Sequence, residues 1–350
     1  MDKKTMRFSC LVKKGESEIR ERPLGEMQPD QVLVKQLACN ICTTDYGQWN
    51  GLREHQGYPH ANGHEGSGII IDKGSRVSGL EIGDMVAMAY DGCGECESCR
   101  QGDYAHCVKL KGRWTEDGYI GGFGFSDYCV RNARSLVKMN PDMDPGAAAF
   151  LEPLATVVRG IKKLRLKPME TVVVIGAGTM GLLNAQVAGA NGARVIVSEL
   201  MDKKLDTARA MGFEVINSKE TDPVQAVRNM TNGKGADCVI VAVGNTIANK
   251  QALEMVKYTD GRILLFAAGY PAPSLEIGSN EIHYRRLELL GTFEADVNDF
   301  LTAGRLLSDY IVDVSKLIEE PRFTLDTMQE AYKHASIPGM YRVSVIINEK

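Results

Sequence analysis

Two patterns of apolar and polar positions divide the chain. The first 150 residues carry short strand-like runs separated by glycine turns, at Arg7 to Val12, Gln31 to Leu37, Gly68 to Ile71, Met85 to Ala89 and Ser126 to Val130. Short strands at regular spacing, with few helical stretches, predict a barrel-like β domain. From Pro145 the period lengthens. Ala147, Phe150, Leu154 and Val158 fall at three- and four-residue steps, which marks a helix and the junction with a second domain. Beyond it, strands and helices alternate: Thr171 to Ile175 and Ala193 to Ser198 as strands, helix Asp202 to Met211, strand Val215 to Asn217, then helix Asp222 to Met230 with Pro223 at its start. Strand Cys238 to Val243, helix Asn249 to Lys257 and strand Arg262 to Ala268 complete the series. Alternating βα units imply an α/β domain built on a parallel, doubly wound sheet. The last 55 or so residues mix the two patterns and are expected to return to the first domain.

Where the first of these strands ends, Gly176-Ala-Gly178-Thr179-Met180-Gly181 opens a helix with no intervening residue. Gly176 permits the turn, Gly178 lets the backbone approach a pyrophosphate, and Gly181 lets the helix pack closely on its strand. Glu199 ends the second strand 21 residues after Gly178. A carboxylate there accepts ribose hydroxyls and repels a 2′-phosphate, which favours NAD over NADP, although Lys203 and Lys204 lie close by in sequence. Gly244 and Gly269 follow two later strands, at the carboxyl edge where such sheets bind ligands. They are candidates for close approach to the nicotinamide half, and equally for plain turn glycines.

Size and charge narrow the class. At 350 residues the chain exceeds one ordinary core. A hydrophobic content of 44% and a charged content of 25% describe a globular protein, and the net charge of -4 argues against a nucleic-acid or anionic-membrane partner. The opening MDKKTMRFSCLVKK lacks the apolar core of a signal peptide, and no run is long enough to span a bilayer, so a cytoplasmic protein is expected.

Nine cysteines are present, four of them within fifteen residues: Cys93, Cys96, Cys99 and Cys107, spaced C-x2-C-x2-C-x7-C. Four thiolates so spaced can surround one Zn²⁺ tetrahedrally with no open position, which makes a structural site. An iron–sulfur cluster or unligated thiols are the alternatives. His106 beside Cys107 reads as a surface residue. A dispersed second set comprises Cys42 in ICTTD, His64 and Glu65 in NGHEG, and Glu152 in LEPLA. A cysteine, a histidine and carboxylates form a mixed sphere that can keep a position open for substrate, as catalytic zinc requires. Taken singly, each of these residues is as readily a packing or surface feature.

In their order and approximate spacing, ICTTD, GHEGSG, the four-cysteine loop, LEPLA and the glycine turn resemble the zinc-dependent medium-chain dehydrogenases, over the whole chain. The resemblance implies a GroES-like catalytic domain of residues 1–154 and 295–350, a Rossmann NAD-binding domain of residues 155–294, and two Zn²⁺ per chain, one catalytic and one structural. Cys42 and His64 would bind the catalytic zinc, and Glu65 would bind it directly or hold it from outside. Glu152, where alcohol dehydrogenases of the family often have cysteine, resembles the sorbitol-type branch, with a role as ligand directly or through water. Asp45 would orient His64, and Thr44 would hand the alcohol proton away. The usual relay histidine is replaced by Gly47, so the proton would leave through the cofactor ribose and water, or by another route. Met180 and Thr156 would flank the nicotinamide.

The implied reaction moves hydride between a secondary alcohol or its ketone and NAD. Gln48, Trp49 and Asn50 match the substrate pocket and would suit a polyol or cyclitol, unless Trp49 merely packs the wall. Glu294, where sorbitol-type relatives often carry arginine, puts sorbitol itself in doubt and disfavours an anionic substrate. Arg285 and Arg286 would suit a phosphorylated sugar or a plain surface pair. L-threonine 3-dehydrogenase chemistry is the competing family reading. A non-catalytic NAD-binding protein, or a zinc-ribbon nucleic-acid binder, would be the reading from another class. Against the latter, the cysteine loop holds Glu95, Glu97 and Asp103 with one Arg100. A homodimer or homotetramer is expected, with Arg262 to Ala268 as a joining edge.

Overall fold

The computed structural model describes residues 5–109 and 118–350, so the first four residues of the segment read for a signal peptide lie outside it. The chain divides into two compact units, one of residues 1–155 with Ala295–Lys350, the other Thr156–Glu294.

In the first unit, β1 (Thr5–Lys13) and β2 (Glu16–Pro23) form a hairpin. The long β3 (Gln31–Ile41) leads into α1 (Thr43–Trp49), and β4 (Glu65–Lys73) and β5 (Met85–Met88) follow. The short α2 (Glu97–Arg100) lies in the cysteine loop. Beyond it come β6 (Tyr128–Asn132), β7 (Leu136–Lys138), α3 (Pro145–Ala148) and α4 (Leu151–Leu164).

The second unit alternates β8 (Thr171–Ile175), α5 (Thr179–Ala190), β9 (Arg194–Glu199), α6 (Asp202–Ala210) and β10 (Glu214–Asn217). It continues with α7 (Pro223–Met230), β11 (Cys238–Val241), α8 (Thr246–Met255), β12 (Arg262–Leu265), α9 (Ser279–Arg285) and β13 (Glu288–Gly291). The chain then returns to the first unit with α10 (Val297–Ser308), β14 (Ile318–Phe323), α11 (Met328–Ala335) and β15 (Arg342–Ile346).

Six parallel strands in the order β10-β9-β8-β11-β12-β13 make the sheet of the second unit. Helices cover such a sheet on both faces, which is why β8 and β11 are almost wholly apolar rather than alternating. α7 starts where the sequence pattern puts it, because Asp222 accepts from Val224 N at 2.9 Å and Pro223 occupies the first turn. The joining edge expected at Arg262 to Ala268 needs correction. β12 lies between β11 and β13, and the sheet ends at β13. That strand is short and follows Arg285-Arg286, so a charged flank hid it from the period-two pattern.

A second sheet, in the order β14-β15-β3-β4-β5-β7 with β6 also on β3, dominates the first unit. β15 runs antiparallel to β3, so the two are joined in one sheet although they are separated by most of the chain. Their inward residues Cys39, Ile41, Val343 and Val345 meet Leu325, Met328 and Tyr332 in one apolar cluster. No described helix is long and apolar enough to cross a membrane.

In the second unit, Arg262 on β12 is buried against Glu170 at 2.5 Å and also bonds the carbonyls of Leu164 and Arg165. Removing one partner of such a pair strands the other charge. Glu170→Ala is expected to cost about 3 kcal/mol in urea unfolding, and a loss below roughly 1 kcal/mol would show the pair to be dispensable.

Candidate metal centres and dinucleotide turn

Strand register gathers the dispersed set. Ile41 ends β3 opposite Val343 of β15, and Asn40 pairs with Glu65 at the start of β4. Cys42 follows β3 directly as the residue preceding α1, and Arg342 opens β15. Three adjacent strand ends therefore deliver Cys42, Glu65 and Arg342 to one spot. Ligand atoms of Cys42, His64 and Glu65 all lie within 4.8 Å of one another. Asp45, in the first turn of α1, accepts from the Cys42 N–H at 2.9 Å and from the Gly63 N–H at 3.2 Å. It thereby fixes the two backbone points that carry the thiol and the imidazole. His64 Nδ1 is 3.7 Å from Asp45, too long for a hydrogen bond but close enough to feel its charge. Burial opposes a charged imidazole here, yet Asp45, Cys42 and Glu152 outweigh it and hold His64 well above its ordinary pKa. The donor set of thiolate, imidazole and carboxylate suits zinc.

Arg342 was not foreseen. Its Nε and Nη2 donate to the two oxygens of Glu65, each at 2.8 Å, and Nη2 lies 3.7 Å from Cys42 Sγ. Glu65 is completely buried, so this bidentate pair is what makes its charge tolerable. The available signal was an arginine opening an otherwise apolar strand, with nothing to say that the strand would lie beside Cys42.

Glu152 lies outside the tight group of three, in the first turn of α4, where the helix end favours a carboxylate. Its Oε1 accepts from the Tyr90 hydroxyl at 2.5 Å. Burial pushes the Glu152 carboxyl above its ordinary value, against the pull of His64 and of the Tyr90 bond.

On α1, Thr44 is half-buried, and the stem of Arg53 lies over Gly47, its Cδ in ordinary contact range at 3.5 Å from where a Cβ would sit. Gln48 is fully buried and donates to the Gly57 carbonyl, Asn50 donates to Ser336, and Trp49 stacks on Tyr332 with centroids 6.0 Å apart. All three contacts lie within the first unit.

The four-cysteine loop closes on itself. Cys93, Cys96, Cys99 and Cys107 bring their sulfurs within 4.8 Å of one another. Zn–S bonds of ~2.3 Å in a tetrahedron put sulfurs about 3.8 Å apart. Cys93 and Cys99 stand at 3.9 Å, and the N–H groups of Glu95, Cys96 and Cys107's neighbour Cys93 point at sulfur. His106 is exposed and pairs with Asp103.

In the second unit, Gly176 has φ +98°, a conformation that requires glycine, and a Cβ on Gly181 would run into the Gly176 carbonyl. A Cβ on Gly178, by contrast, would meet only Lys204 Nζ at 3.8 Å, which leaves the turn open where a phosphate would approach. Glu199 is tied to this turn. Its Oε2 accepts from Ala177 N at 2.8 Å, and Oε1 from Leu200 N and Met201 N. Thr179 is buried, whereas Met180 and Thr156 are half-buried.

Gly244 and Gly269 have a local explanation, because a side chain on either would strike the backbone of the other's loop. Glu294 adopts a left-handed φ of +59° at the end of the unit. Arg285 and Arg286 both have partners within the second unit. Arg285 is buried, bonding Glu281 and the carbonyls of Tyr258 and Leu253, and Arg286 pairs with Asp260 at 2.7 Å.

A β-rich unit with a mixed donor set and a parallel-sheet unit with a dinucleotide-type turn, on one chain, are the parts of a metal-dependent dehydrogenase. Comparison with known proteins agrees. The family model for the alcohol dehydrogenase GroES-like domain matches residues 28–141, and that for zinc-binding dehydrogenases matches residues 179–309. A sorbitol dehydrogenase of Halalkalibacterium halodurans is 30% identical over 337 residues, 93% of this chain and 94% of its own. An L-threonine 3-dehydrogenase of Pyrococcus horikoshii is 31% identical over 324 residues, 91% of each. A Sinorhizobium meliloti structure described as a zinc-binding dehydrogenase, bound to NADP, superposes with a TM-score of 0.85 at 27% identity over 98% of this chain and 100% of its own. The chain belongs to the zinc-type medium-chain dehydrogenases, with their GroES-like and Rossmann folds, and is an oxidoreductase acting on CH–OH groups.

Proposed function

We propose that this protein oxidises a secondary alcohol bearing several hydroxyls, a polyol, cyclitol or sugar alcohol, with NAD⁺, and carries one catalytic and one structural zinc. The observation that carries this reading is the meeting of Cys42 and His64 at adjoining strand ends, with the carboxylate of Glu65 beside them. Cys42 and His64 hold the catalytic metal, with Glu152 as the third protein group. Glu65, spent on Arg342, shapes the charge around it rather than binding. Bound there, zinc lowers the pKa of an alcohol oxygen, and a nicotinamide ring supplies the hydride acceptor. Thr44 Oγ1 would accept the alcohol proton while passing its own on through the cofactor ribose and water, since position 47 is glycine. The cysteine loop binds the second zinc, with no coordination position left for substrate. Glu199, fastened beside Gly178, sets the preference for NAD⁺ by charge and by accepting ribose hydroxyls.

The test is a screen of polyols, cyclitols, sugar phosphates and L-threonine with NAD⁺ and NADP⁺, following reduced nicotinamide absorbance. L-threonine is included because a relative of that activity matches as well as the sorbitol one. Glu199→Ala is expected to shift the NAD⁺ to NADP⁺ ratio of kcat/KM at least tenfold toward NADP⁺, about 1.4 kcal/mol for one removed repulsion. An unchanged ratio would take Glu199 out of cofactor choice.

A further inference from the structure

The residue pressed against Glu152 is no part of any donor set. Tyr90 stands two residues past the end of β5 and three before Cys93, in a segment fastened on both sides. Ala89 N donates to Ser135 O at 2.8 Å, Arg134 Nε donates to Gly92 O at 2.8 Å, and Asn132 donates to Asp91 at 2.6 Å. Gly92 has no room for a side chain, because Cys99 Sγ and the Tyr104 ring fill that space. The segment is thus held by residues 132–135 on one side and packed at Gly92 against Cys99 and Tyr104 on the other. The Tyr90 ring meets the edge of Phe300 on α10 at 4.9 Å and 75°. A cavity of about 40 Å³ bordered by Tyr104, Val297 and Phe300 adjoins the ring. With space beside it, the ring is held by its hydroxyl as well as by packing, and that hydroxyl is 2.5 Å from Glu152 Oε1.

We propose that Tyr90 is a positioning residue for Glu152. It occupies one carboxylate oxygen and turns the other toward Cys42 and His64. This rests on the reading of Glu152 as part of the zinc site. The bond is short and, with an ionised carboxylate, charge-assisted, so it selects one orientation of a side chain that otherwise has two equivalent oxygens. Outer hydrogen-bond partners of this kind are worth about 10- to 100-fold in metal affinity or activity.

Cobalt(II)-substituted full-length protein tests it, since d–d absorption reports ligand geometry without turnover. Bands lost in Cys42→Ser belong to the mixed site. Tyr90→Phe, which keeps the ring on Phe300, is expected to move those bands and to speed their loss to a chelator by about 10- to 100-fold. It should lower kcat with KM held within about twofold, and leave the cysteine-loop bands unmoved. Phe300→Leu, which loosens the packing and keeps the hydroxyl, is expected to leave the mixed-site bands in place. Mixed-site bands and chelator rates in Tyr90→Phe that match the unaltered protein overturn the proposal, as does a Phe300→Leu spectrum that shifts equally. Bands indifferent to Cys42→Ser overturn the metal reading itself, and this proposal with it.

Discussion

Cys42→Ser should leave the protein folded, with one equivalent of zinc fewer and kcat down by about a thousandfold or more, the several kcal/mol that a Lewis acid contributes to hydride transfer. Cys42 is half-buried at the start of α1, and serine is close to cysteine in size, so the packing of α1 is little disturbed. What changes is the loss of the soft thiolate from the set formed with His64 and Glu65. Metal analysis and turnover on the same sample decide the matter. A zinc-free variant that turns over at the original rate would remove metal from the chemistry.

Arg342→Met is the second large effect, on stability. The substitution keeps most of the buried volume and withdraws both hydrogen bonds from a completely buried carboxylate. The expected cost is about 3–5 kcal/mol. Glu65→Gln added to it should recover much of that loss, since no buried charge is then left alone. Urea unfolding of the two single variants and the double variant gives the coupling. Additive losses would mean that Arg342 and Glu65 contribute separately, against the geometry.

Legibility followed distance along the chain. β8, the glycine turn and Glu199 fall within thirty residues, and period, turn chemistry and the closing acid are all local properties. The cysteine loop was equally readable, because ligand spacing within a short loop nearly fixes whether four sulfurs can meet. The mixed set was visible only as scattered fragments. Its assembly depends on β3 pairing with β4 and with β15, a register that no local pattern records. Arg342 and Tyr90 escaped for the same reason, each being ordinary in its own segment. β13 escaped because its charged flank masked a four-residue strand. The arginines at 285 and 286, readable as a phosphate site or more simply as a surface pair, bond carbonyls and acids of their own unit.

The pairing of β15 with β3 also carries an order of events. Arg342 follows Cys42 by 300 residues, so a growing chain presents the thiol and Glu65 long before their counter-charge exists. Domains tend to form as the chain emerges, the earlier parts first. A nascent polypeptide that has reached Tyr341 carries Cys42, His64, Glu65 and Glu152 but lacks the cation that neutralises Glu65. The pocket is therefore complete only once this late strand has docked on β3.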